Sequence, residues 1–473
     1  MGFIKTPFPQ ELIDIVADNI HTLEDSRLET LRAFSLASRA CHAAARKHIF
    51  RSLKVSDLAP DDIDDSTCFP LLSTTQQFSS PYHFANARYY VEEHENPDIT
   101  HLHQFLLSHP RVAFGVHNFT FSSSSDTESL RMLGEQDLPN ILNLLPNLRH
   151  LSLNFKQSPW TWFKPKWGLF NTELQETFKR IVTESNLQSL QLHGLRELPA
   201  EIFYQLTPSL EDLSLACVEL IKHEPASDST PASEMLQISS RHGTLKSLHI
   251  SCSPSVIHLT GDLPAALNFS GLRKLDVIPA SLDEVNATWR ILHSATDSLE
   301  ELTYDKTFFL PPEYYLLFSD ISLLTRLRTF KLSFKLEFLP IFMKMLRDAS
   351  APTKITEVEI YVGWRLESEH AVKADIMNME RWQELDRELS GEQYPKLKEV
   401  DMCLMGFPWD DDEWDSIIID TEIEMDISET NEEVSDSLGS FYSGRTTLLT
   451  RKVEGSYVKL KKKGVKVRVR YHD

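Results

Sequence analysis

Apolar residues fall along this chain in a six-residue beat, apolar-x-x-apolar-x-apolar, as in Leu148-x-x-Leu151-x-Leu153. First positions of the beat occur at Phe50, Val116, Leu148, Leu187, Leu210, Leu245, Leu272, Leu299, Leu327, Ile355 and Leu397. From Leu245 to Ile355 the successive intervals are 27, 27, 28 and 28 residues; elsewhere they run from 23 to 66, which implies insertions in loops. The second and third apolar residues are two apart and therefore share one face of an extended strand. Between beats, Glu173–Val182, Leu282–Ser294, Pro340–Leu346 and Met377–Leu389 read as helical or irregular returns. Strand and return, repeated, predict an α/β protein with a parallel sheet curved into a solenoid.

Ahead of the array, the pattern changes to helical spacing. Leu12, Ile13, Val16 and Ile20 make one apolar face. Pro9 sits at a first helical position, where its missing N–H costs nothing. Ser26-x-x-Glu29 predicts a capping box for a second helix carrying Leu28, Leu31 and Phe34. A third helix begins near Ser38 and runs through Ala-rich sequence to Ile49. Three short helices bury little surface alone, so the module calls for a neighbour or a partner. Read from pattern only, it could equally cap the array.

Residues 8–53 resemble an F-box of the form common in fungal proteins, through Phe8-Pro9-x-Glu11-Leu12-Ile13-x-x-Val16, Leu31-x-x-x-x-Leu36-Ala37-Ser38-Arg39 and Ala45-Arg46-x-x-Ile49-Phe50-Arg51-Ser52-Leu53. The resemblance implies binding to the linker subunit of an SCF-type cullin-RING ubiquitin ligase, and through it to a cullin. The residues it assigns to that contact are Phe8, Pro9, Ile13, Leu36, Ala37 and Cys41. Phe8, Ala37 and Cys41 replace the family's usual Leu, Val and aromatic, and a lost apolar contact forfeits roughly 1–3 kcal/mol. The beat, with a period inside the range of about 20–29 residues typical of leucine-rich repeats, resembles the irregular repeats of F-box/leucine-rich-repeat proteins. The expected organisation is residues 1–56 as the F-box-like helical domain, 57–408 as a leucine-rich-repeat solenoid (a horseshoe) with loop insertions, and 409–473 as an acidic and basic tail forming a small capping sheet.

In such an array the residues alternating with the buried ones line the open, concave face of the sheet. The candidate substrate-binding residues are therefore His150, Ser152, Gln191, His193, His249, Lys274, Asp276, Glu301, Lys331, Glu357, Glu359, Tyr361, Glu399 and Asp401. Its acidic part, Glu357, Glu359, Glu399 and Asp401, suits a basic segment of a protein substrate, unless these are simply solvated strand residues. His150, His193 and His249 lie on separate strands, whereas metal ligands must converge, so they read as wall residues. The aromatic run Trp160, Trp162, Phe163 and Trp167 is either a contact hot spot or the anchor of a long loop.

Charge modifies this picture at the C-terminus. Net charge is −21, and thirteen acids with no Lys or Arg fall between Asp410 and Asp436. That field disfavours nucleic acid. Ile419 to Ile427 alternate with acids, and Val465 to Tyr471 alternate with Lys466, Arg468 and Arg470. Opposite charges on facing strands predict an antiparallel pair, with Thr446–Glu454 or Tyr457–Lys461 as further strands. A disordered acidic tail and a nuclear-localisation run at Lys461–Lys463 are the other readings. Five scattered cysteines, no apolar N-terminal run and no membrane-length stretch predict an intracellular protein, cytoplasmic and/or nuclear, without membrane contact. No phosphate-cradling, nucleophile-elbow or zinc-protease motif occurs, and glycines number fifteen. The expectation is a non-catalytic adaptor needing no cofactor or metal, which brings a protein substrate to the ligase. The other reading is a leucine-rich-repeat interaction scaffold that does not engage a ligase.

Overall fold

The computed structural model of this chain describes residues 10–21, 27–56, 99–124, 137–156, 165–221, 244–253, 259, 267–279, 281–305, 320–365, 379–407, 451 and 453–472. It divides into two units, Met1–Gly243 with Asp262–Leu267, and Thr244–Gly261 with Asn268–Asp473. Both are α/β, with parallel strands and helical returns.

The first unit opens with α1 (Gln10–His21), α2 (Arg27–Ala37) and α3 (Arg39–Ile49). Ser38 adopts extended backbone and its Oγ accepts the Cys41 N–H at 3.1 Å, which starts α3. Pro9 and Ser26 lie outside the described residues. β1 (Ser52–Ser56) follows, then α4 (Ile99–Ser108), α5 (Pro110–Gly115), β2 (Asn118–Ser124), α6 (Asp137–Asn143), β3 (His150–Lys156), α7 (Thr172–Glu184), β4 (Ser189–His193), β5 (Leu198–Pro199), β6 (Asp212–Ala216) and β7 (Leu220–Ile221). β1, β2, β3, β4 and β6 form one parallel sheet in that order, and β5 pairs with β7 beside it.

The apolar residues of the beat form this unit's core: Phe119, Phe121, Leu151, Leu153, Leu190, Leu192, Leu213 and Leu215 are all buried. Each contributes roughly 1.5–3 kcal/mol by leaving water. Phe155 joins them, 6.1 Å from Phe121 and 5.6 Å from Phe170 by ring centroids. Gly194 ends β4 with φ 72°, and a Cβ there would lie 2.3 Å from the Phe155 carbonyl oxygen, so only glycine fits. Cys217 occupies the same place in its repeat, also left-handed at φ 54°.

The second unit contains β8 (Ser247–Ser251), β9 (Lys274–Ile278), α8 (Leu282–Ser294), β10 (Glu301–Asp305), β11 (Thr329–Lys335), α9 (Leu339–Arg347), β12 (Glu357–Arg365), α10 (Met379–Leu389), β13 (Glu399–Phe407), α11 (Val458–Lys462) and β14 (Lys466–His472). All seven strands pair in parallel in chain order. A full capping box starts α8: Ser281 Oγ accepts the Glu284 N–H, and Glu284 Oε2 accepts the Ser281 N–H. Helix α9 packs on the apolar side of β11, with Phe342 centred 5.2 Å from Phe334 and 6.5 Å from Phe330.

Each of the eleven beat positions is followed, two residues later, by a strand. The tail departs from expectation. Val453–Ser456 and Val458–Lys462 are helical rather than extended, so neither proposed extra strand forms where it is described. The physical reason is a pair of reciprocal caps. The buried Asp386 carboxylate of α10 accepts the backbone N–H groups of Lys459 at 2.8 Å and Leu460 at 2.9 Å, fixing the start of α11. Lys463 Nζ in turn donates to the carbonyls of Ser390, Gly391 and Tyr394 just past the end of α10. The basic strand β14 exists, but it pairs in parallel with β13 and extends the main sheet; the acidic residues 419–427 lie outside the described residues.

Removing the Asp386 carboxylate leaves two buried N–H groups unsatisfied. Asp386→Ala is expected to lower unfolding free energy by about 1.5–3 kcal/mol, read by urea denaturation. Asp386→Asn keeps one acceptor oxygen and should lose less; equal stability of all three proteins would discount the cap.

Candidate functional site

The helical module carries the first surface. Ile13, Ala17 and Ala44 form a small buried cluster, with Phe34, Ala40 and Cys41 packed against it. Two cross-helix contacts lock α1 to α3: Lys47 Nζ lies 3.4 Å from Asp14, and His48 Nε2 lies 2.9 Å from Asp18. Burial holds the His48 imidazole below its ordinary pKa, against the pull of Asp18. With the inner face so fixed, Leu12 (45% exposed), Ile15 (52%) and Val16 (41%) point outward at i, i+3 and i+4, and Leu36 on α2 is 87% exposed. Four large aliphatics on a folded module mark an apolar surface available for contact.

The expected linker contacts distribute unevenly over this module. Leu36 and Ala37 are exposed. Ile13 is in the core, and Cys41 is half-buried against that same core. Phe8 and Pro9 lie outside the described residues. The single apolar face read from Leu12, Ile13, Val16 and Ile20 is thus split, because Ile13 shares the inner side with Ala17 while Leu12 and Val16 turn outward. Ile15 went unnoticed; the adjacent apolar pairs at 12–13 and 15–16 were the available sign that α1 is apolar on two sides.

The open face of the first sheet is neutral. Register aligns Ser52, Asn118, His150, Ser189 and Asp212 in one row, and Lys54, Thr120, Ser152, Gln191 and Ser214 in the next. Gln191 is exposed, while His150, Ser152 and His193 are half-buried. Burial lowers the His150 pKa to about 4, with Arg51, Arg149 and His117 reinforcing the shift, so the ring is uncharged near neutrality. Asn154 Oδ1 and Thr120 Oγ1 are buried on this face without hydrogen-bond partners. Trp167 serves as an anchor: it is buried, with ring centroids 5.3 Å from Phe170 and 5.2 Å from Phe178. Trp160, Trp162 and Phe163 lie outside the described residues.

The open face of the second sheet is charged but internally matched. His249 Nδ1 is 3.1 Å from Asp276, Lys274 is 3.8 Å from Glu301, and Lys331 is 2.8 Å from Glu359, which also accepts the Tyr361 hydroxyl at 3.1 Å. Glu399 meets Lys466 at 3.5 Å and Arg468 at 3.2 Å. Asp401 receives both Nε and an Nη of Arg470, at 3.1 and 2.8 Å. Three of the four acids expected to face a basic substrate are therefore engaged by cations of this chain, and Glu357 accepts the Thr329 hydroxyl at 3.4 Å. Sequence reasoning saw the alternating cations of β14 and paired them with the acids of 419–427, which lie outside the described residues; the acids they meet here are Glu399 and Asp401. Beside them, burial raises the Cys403 thiol to about 11, so it is protonated near neutrality despite Arg470.

Among the described residues, no group of His, Cys, Asp or Glu is placed to hold a metal ion, and no helix is long and apolar enough to cross a membrane. A cleft beside α8, lined by Trp289, Leu292, His293, Thr296, Asp320, Ile321, Leu323 and Leu324, has His293 and Asp320 as its ionisable side chains. No family model and no curated protein matches the sequence.

His150 gives a pH dependence with a definite sign. Unfolded, its pKa is about 6.5; folded, it is about 4. Between these values the unfolded chain binds a proton that the folded chain refuses, so the stability contributed by neutral His150 is complete above pH 6.5 and drains away as pH falls towards 4. Urea midpoints across this window should fall less steeply in His150→Gln than in the parent; parallel slopes would refute the assignment.

Proposed function

We propose that this chain is a non-catalytic substrate-recognition adaptor of an SCF-type cullin-RING ubiquitin ligase. In this reading α1–α3 are an F-box that holds the linker subunit, and the strand array is a leucine-rich-repeat solenoid whose open face receives a protein substrate, inside the cell. The adaptor makes and breaks no bond; it raises the effective concentration of substrate near a charged conjugating enzyme.

The observation that carries the reading is the outward apolar set Leu12, Ile15, Val16 and Leu36, on helices whose own small core is already closed by Ile13, Ala17 and Ala44. Helices that present aliphatics at i, i+3 and i+4 are a standard mode of partner recognition. The parallel strands supply an extended polar face suited to protein contact rather than a pocket suited to a small molecule. Cys41 favours a second reading: it turns towards the module's own core, so one expected linker contact is spent internally. On that reading the chain is an interaction scaffold with no ligase.

Co-purification of the full chain with the linker subunit separates the two. The parent is expected to retain the linker. Leu36→Asp should lose it while keeping its helical circular dichroism, since Leu36 takes little part in the core. Leu36→Ala should weaken binding by about tenfold, the equivalent of burying one leucine at roughly 1.5 kcal/mol. A parent that fails to hold the linker leaves the scaffold reading.

A further inference from the structure

The open face of the second unit neutralises itself, but the rim from which its strands start does not. From β8 to β13, each strand is entered through three residues whose middle member is the buried first position of the apolar beat. For β11, β12 and β13 these are Arg326-Leu327-Arg328, Lys354-Ile355-Thr356 and Lys396-Leu397-Lys398. Leu327, Ile355 and Leu397 are buried, so their neighbours on either side are turned outward, and Arg326, Arg328, Lys354, Lys396 and Lys398 are all exposed. Backbone bonds join the entries directly: Thr356 N–H donates to the Arg328 carbonyl at 2.8 Å, and Lys398 N–H to the Thr356 carbonyl at 2.8 Å. Adjacent entries are thus one strand spacing apart, about 4.8 Å.

Five cations therefore crowd into three neighbouring strands of a chain whose net charge is −21. Among the described residues no ion pair or side-chain hydrogen bond engages any of the five. This contrasts with Lys331, Arg468 and Arg470 of the same sheet, each of which faces a carboxylate. Glu300 and Glu301 bound the strip on the β10 side, and Glu301 is shared with Lys274. Arg273, exposed ahead of β9, lies beyond them.

We propose that this rim is a docking strip for an acidic peptide segment of another protein. A like-charged row held rigid by the sheet is complementary to carboxylates spaced along an extended chain, and such complementarity governs encounter and register. Duplex or single-stranded nucleic acid fits less well. No aromatic side chain stands among the entry residues to stack a base. The strip lies in the second unit and owes nothing to the helical module, so its failure and the failure of linker binding are separate results.

The test is fluorescence anisotropy of a labelled twelve-residue Glu-rich peptide with the full-length protein. The parent should bind, and binding should weaken as salt rises, because the screening length falls from about 8 Å at 0.15 M to about 3 Å at 1 M. The combined variant Arg328→Glu, Lys396→Glu, Lys398→Glu should lose about tenfold or more in affinity. Arg326→Gln with Lys354→Gln, which alters the same strip without reversing charge, should give a smaller loss. Reversal at the exposed Lys179, on α7, should change nothing. Unchanged binding by the triple variant overturns the proposal. So does tighter binding of a twelve-nucleotide single strand, abolished by the same variant. If the parent is silent but binds once the acids of 410–436 are changed to Asn and Gln, the occupant is the chain's own acidic run, and docking in trans is refuted. Silence from both proteins refutes it as well.

Discussion

Ahead of most strands, one carbonyl accepts two consecutive backbone N–H groups from the entry to the next strand. The Arg51 carbonyl takes the N–H groups of His117 and Asn118, the His117 carbonyl takes Arg149 and His150, and the Arg149 carbonyl takes Gln188 and Ser189. In the second unit the same junction recurs from Lys246 to Arg273 and Lys274, from Arg273 to Glu300 and Glu301, from Glu300 to Arg328 and Thr329, and from Arg328 to Thr356 and Glu357. This double acceptance fixes register before side chains contribute. A slip of one residue would carry every leucine of the beat to the solvent side. With the register held, the aliphatics of successive repeats stack inside and the polar residues fall into rows outside. The properties of the open sheet faces discussed above are consequences of that alignment.

Those rows explain how a strongly acidic chain keeps an open sheet face without a concentrated negative field. Acids on β12 and β13 meet cations on β11 and β14: Lys331 with Glu359 and Lys466 with Glu399 in register, Arg468 with Glu399 and Arg470 with Asp401 on the diagonal. Each pair is partly exposed and contributes only about 0.2–1 kcal/mol, so their weight is in neutralisation and in favouring β14 beside β13 over any other position. Arg470 is the most constrained of them, gripping Asp401 through two nitrogens. A basic ligand would have to displace these internal cations, which makes Glu359, Glu399 and Asp401 poor candidates for capture. The neutral first sheet, with its uncharged His150 and its unpartnered Asn154 and Thr120 oxygens, is the better receptor for a hydrogen-bonding partner.

Much of this was legible in the sequence because it depends on local rules. The beat places eleven strands, and the aliphatic two residues ahead of the strand is buried in every repeat from Val116 to Leu397, while Phe50 is half-buried. Helix α8 could be read to the residue, because Ser281 and Glu284 form a self-contained capping box. What escaped depends on distant partners. β14 has Gly464 where the beat would have its first aliphatic, with φ 82°, so the template missed its place in the array. The segment at Tyr457–Lys461 alternates weakly, yet Asp386, 73 residues before the Lys459 it caps, turns it into helix. No pattern within the segment announces that cap. The cross-strand ion pairs likewise required knowing that β13 and β14 are neighbours.

The helical module poses the sharper energetic question. Among the described residues its buried cluster is Ile13, Ala17 and Ala44, with Leu31 and Ala45 the other buried positions, and alanines are the majority. So small a core offers little of the hydrophobic stabilisation that offsets chain entropy. Leaving Leu12, Ile15, Val16 and Leu36 in water forgoes, for each, part of the roughly 1.5–3 kcal/mol that burial provides. Had the module evolved only to cap the strand array, the economical arrangement would turn these aliphatics towards the sheet and the alanines outward. The arrangement found divides them: Ile13 and Leu31 face in with the alanines, while Leu12, Ile15, Val16 and Leu36 face out. Leaving that outward set in water is costly for an isolated cap and favourable for a module completed by another protein. It supports adaptor and scaffold alike, and what distinguishes them is whether the outward set, without help from Cys41, holds a ligase linker.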